Sequence, residues 1–198
     1  MTYALYELAT NPPIQEKVRG EILQIMAKHK RNLTYESLKD MKFLKAVIQE
    51  TLRKNTIVGF MPRVCRCSCT VRTSCNSPLT IQQGTSVLIP IHGVLHNPDL
   101  YADPDTFLPE RFLEGEEEAN KIDRCSFMAF GIGPKVCIGE PFARLELSLA
   151  LALLLSEFQF SVCDKTPSKL IFDPKKRFMS TVKNGVHLSV KRLRHKEE

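Results

Sequence analysis

The stretch that decides the fold is FMAFGIGPKVCIGEPFARLELSLALALLL, residues 127–155. It places Cys137 in a glycine-rich loop directly before an apolar segment of helical length. Gly131, Gly133 and Gly139 allow backbone angles that other residues avoid, so the main chain can lie against a flat surface. Free N–H groups and the dipole at the start of a helix stabilise a thiolate. The stretch therefore predicts a thiolate at Cys137 with little side-chain bulk around it.

The cysteine loop has three interpretations when it is taken alone. A single axial cysteine thiolate is one of the recognised ways in which proteins ligate haem iron. A buried free cysteine in a turn before a helix is an ordinary packing element. A glycine loop that opens a helix also suits phosphate binding. Haem ligation, packing and phosphate binding all remain open at this point.

The segment after the loop predicts a helix from Ile138 to about Leu155 that is apolar on nearly every side. Its apolar run is interrupted by Glu146 and Ser148, and about 20 apolar residues are needed to span a bilayer. The segment therefore indicates a core helix. A helix of this kind must be enclosed on nearly every side, so we expect residues 1–198 by themselves to expose a large apolar patch.

Residues 1–54 predict helices. The first should stop at residues 11–13, Asn-Pro-Pro, and the second carries apolar residues at helical spacing. Thr34 can cap a short helical turn, and Asp40 can cap a third helix that runs to about Lys54. The chain opens on periodic residues without a cap, which predicts that Met1 lies inside a helix of a longer fold.

The middle of the chain predicts strands and irregular structure. LTIQQGTSVLIPI, residues 79–91, is typical of two short strands that turn at Gln83-Gly84. NPDLYADPDTFLPERF, residues 97–112, carries prolines too close together for any regular element. We expect it to be either an ordered meander or a floppy loop.

Charge and cysteine content exclude some classes of protein. The formal charge is +6, and its densest block, VKRLRHK at residues 190–196, is typical of a solvated terminus. The chain has no aromatic-interleaved basic stripe or recognition motif, so no nucleic-acid partner is expected. Its seven cysteines show no spaced, even pattern, which favours a reducing environment with free thiols.

Two further groups of charged residues could form a buried network. Glu50 and Arg53 stand at i and i+3 on the third predicted helix, opposite its apolar face. Such a pair is usually solvated and contributes less than about 1 kcal/mol. PERF, residues 109–112, ends the proline-rich segment, and its Arg111 could join the pair. A buried Glu–Arg–Arg network would give that segment a fixed anchor.

The motifs ExxR at residues 50–53, PERF at 109–112 and FGxGxxxCxG at 130–139, in this order and spacing, resemble the cytochrome P450 family of haem-thiolate monooxygenases. The similarity covers essentially the whole chain and is closest to microsomal drug-metabolising and arthropod detoxification enzymes. It implies a mainly α fold with small β-sheets. Residues 1–198 would form the C-terminal portion of a single domain, from the end of the oxygen-binding helix through the cysteine loop to the C-terminal β pieces. The N-terminal half, with the oxygen-activating acid/alcohol pair and a membrane anchor, is expected to precede Met1.

The resemblance assigns roles to individual residues. Cys137 would be the proximal iron ligand and catalytic residue, with Phe130 packed beside its sulfur. Arg63 and Lys135 match positions that bind the haem propionates. The implied haem-binding residues are Cys137, Arg63, Lys135, Phe130, Gly131, Gly133 and Gly139, and the implied structural residues are Glu50, Arg53 and Arg111.

The resemblance also implies a function. Haem b, held through the thiolate, would split dioxygen and insert one oxygen atom into an apolar small molecule, with electrons from an NADPH-dependent flavin reductase. The expected location is the cytoplasmic face of the endoplasmic reticulum membrane, through an N-terminal anchor only. Residues 58–60 and 178–180 match segments that line the substrate pocket. This chain by itself is expected to be inactive.

The sequence departs from the family pattern at two places. Lys135 replaces the usual arginine, which keeps the charge but loses the bidentate fork. Residues 55–57 read Asn-Thr-Ile where the family has Tyr-Pro-Pro, which removes fixed φ angles. The first departure bears on haem affinity, and the second bears on the direction in which the following segment runs.

Two other functions stay open at this point. One is a non-catalytic truncated product with at most weak haem binding. The other is a zinc-binding module built on CRCSCTVRTSC, whose cysteines are Cys65, Cys67, Cys69 and Cys75. Alternating cysteines favour one face of a strand over a zinc site. His92 and His96 stand at i and i+4, but Gly93 and strand-like surroundings argue against a helical metal pair.

Overall fold

The computed structural model of the chain describes residues 1–113, 125–176 and 179–193. Helices α1 to α4 lead the chain, and two small antiparallel sheets follow them before helix α5. A long helix, α6, and a third small sheet come last. In chain order the elements are α1 (Thr2–Thr10), α2 (Pro12–Lys28), α3 (Tyr35–Asp40), α4 (Lys42–Lys54), β1 (Met61–Val64), β2 (Cys69–Arg72), β3 (Pro78–Ile81), β4 (Ser86–Ile89), α5 (Ile91–Leu95), α6 (Glu140–Glu157), β5 (Phe158–Ser161) and β6 (Ser189–Arg192).

The helix boundaries near the N-terminus follow local chemistry. Helix α1 ends at Thr10 and α2 begins at Pro12, as predicted, because proline suits the first turn of a helix. The Thr34 side chain accepts a hydrogen bond from the Ser37 N–H at 3.2 Å, and the Ser37 hydroxyl accepts one from the Thr34 N–H at 2.8 Å. This capping box confirms the predicted cap at Thr34.

The predicted cap at Asp40 is wrong. Asp40 is the last residue of α3, and Met41 precedes the first turn of α4. The N-terminus of α4 is capped by Glu21 of α2, whose carboxylate accepts hydrogen bonds from the Phe43 N–H at 2.8 Å and the Leu44 N–H at 2.9 Å. A carboxylate from another helix therefore satisfies N–H groups that a local side chain would otherwise cap.

Replacing Glu21 with alanine should lower the free energy of unfolding by about 0.5–2 kcal/mol, the usual cost of losing a helix cap. The exposed Glu36 of α3 serves as the control, and Glu36→Ala should change stability much less. Urea unfolding of both variants tests this. Equal effects of the two substitutions would contradict the capping role of Glu21.

The predicted strands exist, but their pairing differs from the hairpin expected around Gln83-Gly84. Strand β4 pairs with β1, and β3 pairs with β2, so β3 and β4 belong to different sheets. The Thr85 N–H donates to the Gln82 carbonyl at 3.1 Å, and Gly84 adopts a φ of +85°. The turn therefore links two sheets, because β4 is paired with β1 and β3 is paired with β2.

Two expectations about metal-ligand residues are also corrected. Within the cysteine segment only Cys69 lies in a strand, so the cysteines do not share one strand face. The histidine pair is not in strand-like surroundings, because His92 lies in α5 and His96 follows its last residue. Their rings stack with centroids 4.0 Å apart, and a His96 ring nitrogen lies 3.1 Å from the Lys54 carbonyl. Over residues 1–113, 125–176 and 179–193, no group of three or more His, Cys, Asp or Glu side chains could hold a metal ion.

The main core lies between the N-terminal helices, α6 and β5. Its fully buried members include Leu8, Ile22, Leu44, Leu151 and Leu155. Helix α6 begins at Glu140, two residues later than predicted, because Gly139 occupies the capping position and Pro141 the first turn. Among the described residues, no helix combines the length and apolarity that crossing a membrane requires.

Candidate haem-ligand site

The Glu50–Arg53 pair is fully buried, with 0% of either side chain exposed. Arg53 Nε donates to Glu50 Oε2 at 2.7 Å, and Arg53 Nη2 donates to Glu50 Oε1 at 2.9 Å. Both residues lie on α4, one turn apart, so the helix itself sets this bidentate geometry. The solvated interpretation of the pair is therefore wrong.

Arg111 contacts this pair, as the proline-rich segment led us to expect. Its Nε lies 3.3 Å from Glu50 Oε1, and 1% of its side chain is exposed. Glu50 Oε1 also accepts a hydrogen bond from the Leu108 N–H at 3.0 Å. The carboxylate thus binds both arginines and the meander backbone.

The arginines extend the network to the meander carbonyls. Arg53 donates to the carbonyl oxygens of Leu95 at 2.9 Å and Pro104 at 2.7 Å, and Arg111 donates to that of Ala102 at 3.0 Å. The segment at residues 97–113 is therefore an ordered meander, because buried guanidinium groups replace the backbone partners that its prolines cannot provide.

The cysteine loop folds back on itself. The Cys137 N–H donates to the Phe130 carbonyl at 2.9 Å, and the Val136 N–H donates to the Gly133 carbonyl at 3.1 Å. Gly131 and Gly133 adopt φ angles of +81° and +74°, which favour glycine. A Cβ atom on Gly131 would lie 3.0 Å from Met61 Cε, so a larger residue would also require the end of the Met61 side chain to shift.

Cys137 is exposed, so the buried packing cysteine considered from the sequence does not match the structure. The Glu140 N–H lies 3.3 Å from the Cys137 carbonyl, at the start of α6. The N-terminus of α6 carries no side-chain cap among the described residues. The thiol therefore lies beside a helix N-terminus and is accessible to a ligand.

Arg144 positions Phe130, the aromatic residue of the loop. Arg144 was not among the residues predicted from the sequence. Its guanidinium carbon lies 5.1 Å from the Phe130 ring centroid and 5.9 Å from that of Phe127. Its Nε donates to Glu140 Oε1 at 2.8 Å. The i, i+4 spacing of Glu140 and Arg144 in the first turns of α6 was the available signal. The cation thus holds Phe130 near the start of the helix that follows Cys137.

Of the two cations predicted to bind propionates, Lys135 lies in this loop and Arg63 lies in β1. Met61, which touches the loop at Gly131, shares a face of β1 with Arg63, since side chains alternate along a strand. Arg63 Nη1 donates to the Pro62 carbonyl at 2.9 Å. Lys135 is exposed in the short 3-10 turn of residues 133–135. The structure thus places Arg63 on the face of β1 that meets the cysteine loop.

The segment that replaces Tyr-Pro-Pro is held by hydrogen bonds. Asn55 Nδ2 donates to Glu7 Oε1 at 2.9 Å, and the Thr56 hydroxyl donates to the Arg53 carbonyl at 3.0 Å. Lys54 Nζ lies 2.9 Å from the other oxygen of Glu7. Buried polar contacts with α1 thus provide the restraint that prolines would provide through fixed φ angles.

The two segments matched to a substrate pocket meet in the structure, although Phe178 lies outside the described residues. The Ser180 N–H donates to the Ile57 carbonyl at 2.8 Å, and the Tyr3 hydroxyl donates to the Ser180 carbonyl. Val58 and Phe60 are partly exposed beside this contact. Helix α1, residues 57–60 and residues 179–182 therefore converge.

Exposed apolar side chains lie near Cys137 in the sequence, and more of them occur further along α6. Ile138 is 99% exposed and Phe142 is 72% exposed. Leu149 and Leu153 of α6 are also exposed. An accessible thiol, neighbouring apolar side chains and nearby cations suit a flat apolar cofactor with acidic substituents. Iron held in a porphyrin needs only one protein ligand on this side, so the residues present fit haem.

The family model for cytochrome P450 matches residues 1–188. The chain therefore belongs to the cytochrome P450 family, whose members contain haem and act as monooxygenases. It is 42% identical to probable cytochrome P450 6a18 of Drosophila melanogaster over 193 residues, which is 98% of this chain and 37% of that protein. It is 43% identical to Drosophila melanogaster cytochrome P450 6a8 over 190 residues, again 37% of the relative. The chain thus spans less than two fifths of the length of these relatives.

Proposed function

We propose that this chain provides the thiolate-ligand side of a haem monooxygenase, in which Cys137 would hold the iron through its thiolate. The observation that carries the proposal is the accessible Cys137 thiol in a glycine loop. This loop is closed by the hydrogen bond from the Cys137 N–H to the Phe130 carbonyl. Phe130 would pack beside the sulfur, and its ring contacts the Arg144 guanidinium. Gly131, Gly133 and Gly139 would let the loop backbone approach the macrocycle.

The bound haem would supply dioxygen activation, by which one oxygen atom enters an apolar small molecule and the electrons come from an NADPH-dependent flavin reductase. The chain's own residues set the conditions for this chemistry. Cys137 supplies a thiolate that increases electron density at the metal. Arg63 and Lys135 neutralise the propionates. The network of Glu50, Arg53 and Arg111 fixes the meander within the same fold.

The remaining assignments follow from family membership. We propose a location on the cytoplasmic face of the endoplasmic reticulum membrane, with the flavin reductase as the redox partner. The segments matched at residues 58–60 and 178–180 would line part of the substrate pocket, and the hydrogen bond from the Ser180 N–H to the Ile57 carbonyl supports this. The exposed side chains of Val58 and Phe60 indicate an apolar substrate.

Replacing Arg63 with alanine should lower haem affinity about 10- to 100-fold, because one charge-assisted hydrogen bond contributes about 1.5–3 kcal/mol. Arg66 is the matched control, since it is an exposed arginine three residues later, outside β1. Haem transfer to an acceptor protein measures the affinity of both variants. Equal haem loss from Arg63→Ala and Arg66→Ala would contradict the propionate contact.

The monooxygenase proposal is tested by isotope labelling. A full-length haem-loaded protein that contains this chain, supplied with NADPH, a flavin reductase and an apolar substrate under ¹⁸O₂, should yield product that carries one labelled oxygen atom. Mass spectrometry of the product gives the result. Oxygen that comes from water, or product that forms equally without the reductase, would contradict the proposed reaction.

A further inference from the structure

The segment between β1 and β2 brings two cysteine thiols together, away from the haem-ligand loop in sequence. Cys65 follows β1 directly, and Cys69 opens β2. The Cys65 sulfur lies 3.6 Å from the carbonyl oxygen of Ile81, the residue that is paired with Cys69 across the β2–β3 sheet. The Cys65 sulfur also lies 3.0 Å from the Cys67 carbonyl oxygen, within the bend that leads to Cys69. Both cysteines are free.

The backbone on both sides of this pair is fixed. The Cys65 N–H donates to the Thr85 carbonyl at 2.9 Å, and the Gly84 N–H donates to the Cys65 carbonyl at 2.8 Å. Cys69 is held by the β2–β3 pairing. Between them, the Ser68 hydroxyl accepts a hydrogen bond from the Gln83 N–H at 3.0 Å, which ties the bend to the turn before β4. The two sulfurs are therefore preorganised, and joining them costs little chain entropy.

We propose that Cys65 and Cys69 form a redox-active dithiol that closes to an intramolecular disulfide by exchange with a low-molecular-weight disulfide such as oxidised glutathione. The thiolate of one cysteine attacks a glutathione sulfur, the glutathione disulfide bond breaks, and one glutathione thiolate leaves. The second cysteine, as its thiolate, then attacks the mixed disulfide and displaces the other glutathione thiolate. Two protein thiols lose two electrons and two protons, and one glutathione disulfide is reduced to two thiols.

The environments of the two thiols indicate which one reacts first. Burial, together with the neighbouring Cys69 thiol, raises the pKa of Cys65. Cys69 is the more exposed of the two. Because thiolate fraction and access both govern exchange, Cys69 should form the mixed disulfide and Cys65 should resolve it.

Tryptic mapping of the oxidised protein tests which cysteines form the disulfide, because cleavage after Arg63, Arg66 and Arg72 separates Cys65 from Cys69. Cys65 falls in peptide 64–66, Cys67 and Cys69 fall in peptide 67–72, and Cys75 follows in the next peptide. After incubation with oxidised glutathione and alkylation, we expect peptides 64–66 and 67–72 to be joined. The native chain should then retain five of its seven thiols.

Four serine variants identify the partner of Cys65. The joined peptides should persist in Cys67→Ser and in the control Cys75→Ser, and should be absent from Cys65→Ser and Cys69→Ser. In Cys65→Ser, Cys69 should instead carry a stable glutathione adduct. The proposal is overturned if the joined peptides disappear in Cys67→Ser and persist in Cys69→Ser, if Cys75 is the partner, or if only glutathione adducts form.

Discussion

Replacing Glu50 with alanine should lower the free energy of unfolding by about 3–5 kcal/mol, because it leaves two buried guanidinium groups without their carboxylate. Arg53 and Arg111 both contact Glu50, and none of the three side chains is more than 1% exposed. The substitution also removes the acceptor of the Leu108 N–H. Urea unfolding at equilibrium, with the midpoint and slope compared with those of the native chain, measures the loss.

Glu110 provides a matched control within the same meander. It is adjacent to Arg111, and its carboxylate lies 2.6 Å from Lys17 Nζ with side-chain exposures of 32% and 53%. Exposed pairs contribute about 0–1 kcal/mol, so Glu110→Ala should have a small effect. A loss below about 1 kcal/mol for Glu50→Ala would show that the buried network does not stabilise the fold.

Features that depend on neighbours in sequence were predictable. The Thr34 cap, the break at residues 11–13 and the end of α4 at Lys54 rest on local spacing. The contact of Arg111 with Glu50 is a long-range one, yet the need to anchor a proline-rich segment pointed to it. The sequence could not show that the pair is fully buried, because an i, i+3 pair looks the same on an exposed face.

Features that depend on distant segments were not predictable. Glu21 caps α4 across a loop, although Asp40 stands at the expected local position. Strand β4 prefers β1 over the adjacent β3, since pairing is decided by which edges meet. The side-chain amide of Gln15 likewise binds the backbone of Phe160: its nitrogen donates to the Phe160 carbonyl at 2.8 Å, and its oxygen accepts from the Phe160 N–H at 2.9 Å. Nothing in the local pattern of α2 distinguishes that glutamine from a solvated one.

The departures from the family pattern show how a chain replaces one restraint with another. Asn55 and Thr56 stand where the family has Tyr and the first Pro, and their side chains bind Glu7 and the end of α4. Sequence comparison detects the lost prolines, but the compensating hydrogen bonds require the position of α1. The haem-ligand loop is the opposite case, because its glycines and cysteine are contiguous and carry their own geometry.

Replacing Cys137 with serine should abolish thiolate ligation of the haem. A serine hydroxyl is far less acidic than a thiol, so it does not supply a soft anionic ligand at neutral pH. The loop itself should keep its shape, since the Cys137 N–H to Phe130 carbonyl bond and the glycine angles do not involve the sulfur. Haem held only by Arg63, Lys135 and apolar contacts should dissociate faster.

Cys75→Ser is the matched control, because Cys75 is equally exposed but lies in the turn after β2. The spectrum of the reduced, carbon monoxide-bound protein reports the axial ligand directly. The native protein and Cys75→Ser should both show the band that is characteristic of a thiolate ligand, and Cys137→Ser should lack it. A thiolate band that persists unchanged in Cys137→Ser would contradict the assignment of Cys137 as the iron ligand.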